Sequence, residues 1–338
     1  MTGLFADRLF RVAFAAAGMY NLAFGVWSTA WPLAFFELFD IPPPRYPAIW
    51  ACLGMVVGLY GLLYLYAAWR LDAASPIVGV GLLGKVLGPI GMATSFSDDW
   101  PRRLGMICVY NDLVWWLPFS LFLIRGTAVG KRLAALAPWL AVTTHLLALA
   151  MLAVVLRHGA LNEPNAAVRA QFVASHATAW TVGWAAWMIA AATLVGFYAW
   201  WGSRLTRQRI AALAVVIAGL GLVCDFSGEG LLTLVLVERT MTVGEDPTSF
   251  MNVERAFTLL SAGGANGLYT LGGVLLTLVT PNLPALVRAA MWITWISGAA
   301  MTAAATFSWI GGMVGSTAVL FPLLVAWMAW MGARWRPA

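Results

Sequence analysis

Residues 209–239 read RIAALAVVIAGLGLVCDFSGEGLLTLVLVER, an apolar run with basic residues at its start and Glu238–Arg239 at its end. A bilayer crossing needs about 20 apolar residues in a helix, so the run is long enough to span. Two acids interrupt it. Asp225 and Glu229 stand at i and i+4, which puts both carboxyl groups on one helix face. A carboxylate at membrane depth costs about 2.5–3.5 kcal/mol on insertion scales, and such residues generally mark a functional site. At about 1.5 Å of rise per residue from Arg209, Asp225 sits roughly 24 Å and Glu229 roughly 30 Å along the helix. Gly221 and Gly228 flank the acidic face and leave room for a neighbouring helix.

The rest of the chain fits this reading. Of 338 residues, 62% are hydrophobic and 10% charged, against about 25% charged in soluble domains. The expected fold class is all-α: a polytopic integral membrane protein of about ten transmembrane helices in a four-plus-six arrangement. The spans are expected near residues 11–31, 47–69, 76–95, 104–124, 135–156, 176–200, 210–237, 255–280, 284–306 and 309–332. Residues 1–124 would form a four-helix unit and 135–338 a six-helix unit, divided by the basic loop 125–134. No sequence repeat relates the two, which argues against an inverted-repeat transporter. Pro42-Pro43-Pro44 ends the first span's region, and 32–39 (PLAFFELF) reads as an interfacial helix. Cys52, Cys108 and Cys224 all lie in apolar runs and read as buried small side chains. The net charge of +6 is spread over short loops, so no nucleic-acid partner is expected; the expected partners are membrane lipids.

Orientation follows from the basic residues. Both termini and alternate loops hold Arg8, Arg11, Arg70, Arg125, Lys131, Arg132, Arg204, Arg207, Arg209, Arg288, Arg334 and Arg336, 12 in all. The opposite loops hold 7: Arg45, Arg102, Arg103, Arg157, Arg169, Arg239 and Arg255. Most acids fall on that second side, among them Asp98, Asp99, Glu163, Glu245, Asp246 and Glu254. The positive-inside rule then places both termini in the cytoplasm of a bacterial-type inner membrane. The loops 157–175 and 240–252 are expected to be solvated connections on the outer side.

The first unit contains YNLAFGVW, GMVVGLYGLLYLYAAWR, GLLGKVLGPIG and NDLVWWLPF. With its four spans and glycine placement, the stretch from Leu9 to Ile124 resembles the DoxX-like small four-span bacterial membrane proteins. The resemblance implies a four-helix fold. Within it, Gly81, Gly84, Gly88 and Gly91 are expected to form one smooth face for close helix approach. Lys85 and Asp112, inside adjacent spans, are expected to pair as a structural ion pair.

The second unit holds the histidines. His145 falls mid-span, His158 beyond the span's end, and His176 opens a stripe of His176, Trp180, Trp184 and Trp187 at helical spacing. Asn266 shares a face with Gly263 and Thr270. Asp225, Glu229, His145 and His176 are the candidate catalytic residues, with Trp180, Trp184, Trp187 and Asn266 as candidate substrate-binding residues of one outward-facing cavity. Three uses fit this set: a metal site, acid–base chemistry without metal, and ion-coupled transport. Acid–base chemistry suits a lipid or isoprenoid substrate, because a buried carboxylic acid can donate a proton and indole faces stabilise a developing cation. Two carboxyl groups so close should not both ionise easily. Proton-coupled transport of a small solute and a non-catalytic membrane subunit are the alternatives. Two histidines and two carboxylates would suit zinc or iron, but no HExxH or tight His/Cys spacing is present, so no cofactor is expected. Gly311 and Gly315 are expected to pack helices.

Overall fold

The computed structural model describes residues 3–96, 100–240 and 247–335. Asp98, Asp99, Glu245, Asp246 and Arg336 of the charge comparison lie outside them. The described elements are helices α1 (Leu4–Ala30), α2 (Ala34–Leu38), α3 (Pro47–Trp69) and α4 (Ala74–Thr94), followed by the continuous helical run α5 (Arg102–Ile124). Then come α6 (Ala128–Val154), α7 (Ala166–Ser175), α8 (Ala177–Gly202), α9 (Gln208–Arg239), α10 (Pro247–Val279), α11 (Ala285–Thr306) and α12 (Ile310–Arg334).

Nine of these, all but α2, α7 and α11, are long and apolar enough to cross a membrane, so the chain is an all-α multi-pass membrane protein. α11 has the length, at 22 residues, and packs along both α10 and α12. Arg288 and a run of alanine, threonine, serine and glycine dilute its hydropathy, which is why it stands apart from the nine. α2 occupies the stretch expected as an interfacial helix.

The chain divides into two compact units between Thr127 and Ala128. The boundary turn is made at Gly126, whose φ of 79° is left-handed and favours glycine. α6 therefore begins seven residues before the expected 135, and Lys131 and Arg132 lie on its first turns.

In the first unit, α1 and α3 make the closest helix contact. A Cβ on Gly25 would lie 2.6 Å from the Gly58 Cα, and one on Gly61 2.7 Å from the Gly18 carbonyl oxygen. The face expected for this job, on α4, does something else. Gly84 and Gly91 have nothing within 4 Å, and Leu83, Leu87 and Ile90 beside them are exposed, so that side of α4 points outward. Gly81 and Gly88 instead make room for the Tyr64 hydroxyl and the Asp112 carboxylate. Gly315 likewise meets nothing, and Gly311 meets only its own Trp309, so the expected helix packing there is absent.

In the second unit each span packs against the next, and α12 returns to α6, closing a ring of six: α6, α8, α9, α10, α11, α12. A cavity lies inside this ring.

Three helices carry a π segment: α5 at Val109–Leu113, α9 at Leu231–Leu236 and α10 at Leu259–Ala265. A π turn widens the helix by one residue and disturbs its carbonyl ladder. In each case a side chain from a neighbouring helix donates to a carbonyl within the segment. Lys85 Nζ donates to the Asn111 carbonyl, Trp180 Nε1 to Leu232 at 3.0 Å, and Thr302 Oγ1 to Gly263 at 3.2 Å. The wide turns are thus pinned from outside, and each brings polar side chains to a buried place.

Candidate functional site

The cavity in the six-helix ring has a volume of about 190 Å³. Asp225, Glu229, His145, Trp184, Trp187 and Asn266 all line it, drawn from α9, α6, α8 and α10. The i, i+4 spacing survives because the α9 π segment begins only after Gly230. Close approach of α10 explains how the wall forms. A Cβ on Gly221 would meet the Tyr269 ring at 2.8 Å, and one on Gly228 would meet Phe257 at 3.2 Å.

The two carboxyl groups have opposite surroundings. Asp225 is held by hydroxyl donors at both oxygens: Ser261 Oγ donates to Oδ1 at 2.5 Å and Tyr269 OH to Oδ2 at 3.2 Å. Glu229 is 2% exposed, and its Oε2 is buried with no partner among the described residues. The pair thus divides into a carboxyl group with a donor on each oxygen, at Asp225, and one whose Oε2 has no partner among the described residues, at Glu229. Ser261 and Tyr269 carry no sequence signal of their own. Eight residues apart on a regular helix they would diverge by about 80°. The extra residue absorbed by the α10 π segment reduces this to about 20° and turns both toward Asp225.

His145 is buried, and its Nδ1 lies 2.7 Å from the Ala141 carbonyl. A carbonyl only accepts, so Nδ1 carries the hydrogen and Nε2 of the neutral ring is the free base. Asn266 touches neither acid. Its Nδ2 donates to the Gly298 carbonyl at 2.6 Å and to Thr302 Oγ1 at 3.0 Å, tying α10 to α11. The hydrogen-bond partners of Asp225 are thus Ser261 and Tyr269, while His145 and Asn266 line the same cavity.

Two expected members lie elsewhere. His176 falls between Ser175, the last residue of α7, and Ala177, the first of α8, so the helical stripe does not extend to it. It is exposed, stacks on Phe172 at 4.5 Å between ring centroids, and contacts Ser175 Oγ at 2.9 Å. Trp180 is spent on the Leu232 carbonyl, outside the cavity. No group of three His, Cys, Asp or Glu among the described residues converges as a metal site, and His176 is too far out of place to complete one.

The indole nitrogens of Trp184 and Trp187 are buried without partners, like Glu229 Oε2. Trp200 in this unit and Asn21, Trp50 and Asn111 in the other also carry such an atom, but only Glu229, Trp184 and Trp187 share one void. Toward the Gly202 end the cavity is closed by Trp201, Trp295 and Trp327, with ring centroids 5.6–5.7 Å apart. Each of these indoles is paired with a threonine: Trp201 with Thr280, Trp295 with Thr277 and Trp327 with Thr294, at 2.9, 2.9 and 3.2 Å.

At the other end the 157–175 stretch is not the solvated connection expected. It contains α7, whose Arg169 is 4% exposed. Arg169 Nε and Nη2 donate to the two carboxylate oxygens of Glu254 at 2.7 and 2.6 Å, and Nη1 to the Glu163 carbonyl at 2.6 Å. Ala170 and Val173 of α7 pack with Leu156, Leu232, Leu236 and Phe250, in a cluster that includes the cavity wall residue Trp184. α7 is therefore an apolar cap on the cavity wall, held by a buried bidentate ion pair.

The ion pair expected in the four-helix unit takes another form. Lys85 and Asp112 are both buried, at 5% and 4% exposure. Lys85 donates to the Asn111 carbonyl, and Asp112 accepts from Asn111 Nδ2 at 3.0 Å. The link runs through Asn111 because the π segment offers its carbonyl to the ammonium first.

Taken together, a carboxyl group with an unpartnered oxygen, a second carboxyl group held by two hydroxyls, a free imidazole nitrogen and indole walls can give a proton to one atom of an apolar molecule and take one from another. Searches for similarity found no family model, curated protein or solved structure that matches this chain.

Proposed function

We propose that the six-helix unit is a membrane-embedded enzyme doing acid–base chemistry on a lipid or isoprenoid, in a cavity reached from the outer leaflet of a bacterial-type inner membrane, with both termini cytoplasmic. The observation that carries the reading is the contrast between Asp225, with a donor on each oxygen, and Glu229, with Oε2 buried and unpartnered on the same wall. A purely structural acid would have its hydrogen bonds made. Glu229 gives its proton to an unsaturated carbon or an oxygen of the substrate. His145 Nε2 removes a proton from a neighbouring carbon, so the double bond migrates and protons balance. Asp225 and the indole faces stabilise the positive charge in between.

Size supports a partial occupant. An apolar cavity of about 150 Å³ holds a benzene ring, so this one, at about 190 Å³, takes a ring or a short isoprenoid end and leaves a longer tail outside. The paired aromatic floor weighs against transport, which needs a polar path continuing past Trp201 and Trp327.

The test is solvent-proton exchange. Protein in nanodiscs is incubated in heavy water with bacterial lipid extract, and deuterium in extracted lipids is read by mass spectrometry. Deuterium is expected in a lipid carbon with the wild type and not with Glu229→Gln. No incorporation from any extract would leave the non-catalytic subunit as the better reading.

A further inference from the structure

The proposal so far names a lipid or isoprenoid; the unpartnered groups say more about its reacting end. This inference rests on that catalytic reading for its location only. Trp184 and Trp187 stand one helical turn apart on α8, line the same cavity, and each carries a buried indole N–H with no acceptor among the described residues. An indole nitrogen is a donor only. A buried donor left unmade is costly, and native structures generally pair it. Three further tryptophans of this unit, Trp201, Trp295 and Trp327, each have a threonine oxygen as acceptor, so pairing is the pattern next to the cavity as well. Glu229 Oε2 is a further unpartnered atom on this wall, and the remaining lining is largely aliphatic and aromatic.

We infer that the ligand of this cavity is a ring-sized apolar group bearing a carbonyl oxygen, a ketone or enone of isoprenoid or sterol type, whose oxygen accepts from the indole N–H groups of Trp184 and Trp187. A plain olefin leaves both donors unmade; a carbonyl oxygen has two lone pairs and can accept from both.

The experiment uses an isosteric pair, acetophenone and α-methylstyrene, which differ in C=O against C=CH₂. Both are titrated into the full-length protein in nanodiscs, following ¹⁵N–¹H indole resonances assigned with Trp184→Phe and Trp187→Phe. Acetophenone is expected to bind about tenfold or more tightly than α-methylstyrene, and to move the Trp184 and Trp187 N–H resonances downfield. In the double variant its affinity should fall to that of α-methylstyrene, whose own affinity barely changes. Equal affinities in the wild type, unmoved resonances, or no saturable binding of either compound overturns the inference, and this wild-type comparison stands even if the double variant fails to fold. Carbonyl-selective binding without deuterium exchange would defeat the catalytic reading and leave this one standing. Exchange into a lipid with no carbonyl preference would do the reverse.

Discussion

The two units solve the same problem differently. Each buries a carboxyl group beside a π segment in a helix that should be apolar throughout. In the four-helix unit the donors at the wide turn of α5 are paired, while Asn111 Oδ1 is left without a partner among the described residues: Lys85 takes the Asn111 carbonyl, Asn111 holds Asp112, and Trp116 Nε1 donates to the Lys85 carbonyl at 2.9 Å. In the six-helix unit the wide turns of α9 and α10 are pinned just as firmly, yet the groups around the cavity stay open at Glu229, Trp184 and Trp187. A network that pairs its charged groups stabilises and specifies packing. One that leaves partners missing around a void is the arrangement expected of a binding site.

The comparison can be broken most forcefully at the cap. Arg169→Met leaves Glu254 buried and unpaired, and should destabilise by about 3–5 kcal/mol, with most of that recovered by Arg169→Met combined with Glu254→Leu. Unfolding equilibria in mixed micelles provide the measurement. A double variant as unstable as the sum of the singles would show that the pair is not what holds α7. At Lys85 the effect should be smaller, about 1.5–3 kcal/mol for the lost charge-assisted bond. Because Asn111 stands between the two charges, Lys85→Met with Asp112→Leu should recover a smaller fraction than the cap pair does. Full recovery would mean that the two charges couple directly.

Glu229 should respond with the opposite sign. Glu229→Met removes a buried group with an unmet hydrogen bond and should raise stability by about 1–3 kcal/mol, while abolishing deuterium exchange. Asp225→Leu, which strands the Ser261 and Tyr269 hydroxyls, should lower it. If both substitutions destabilise alike, Glu229 is as well satisfied as Asp225 and the contrast between the acids is lost. The smallest effect separates two sets of glycines. Gly84→Ala should change stability by no more than about 0.5 kcal/mol, as on an open helix surface. Gly25→Ala should cost about 1–3 kcal/mol through overpacking against Gly58. Thermal unfolding in the same micelles distinguishes a packed glycine from an open one.

Much was legible along the chain. The apolar runs mark the spans because a bilayer core admits little but long apolar helices with their backbone bonds made internally. The acidic face of α9 was legible because Asp225 and Glu229 share an uninterrupted α-helical turn. His145, Trp184, Trp187 and Asn266 could be grouped with it because each lies inside a regular span at comparable depth. His176 was misplaced for the same reason in reverse: periodicity was extended one residue past the start of α8, and the chain turns there.

What the sequence by itself determined is the membrane class, the order of the helices and the positions of the buried acids, since these follow from hydropathy and the 3.6-residue repeat. Only the tertiary structure decided which acid is satisfied and which is not. The π segments re-aim Ser261 and Tyr269 at Asp225, and a wide turn forms where neighbouring side chains such as Lys85, Trp180 and Thr302 can take its carbonyls. The Arg169–Glu254 pair belongs to the same category. Two opposite charges 85 residues apart have no local signature, and their burial exists only once α7 has folded back onto α10.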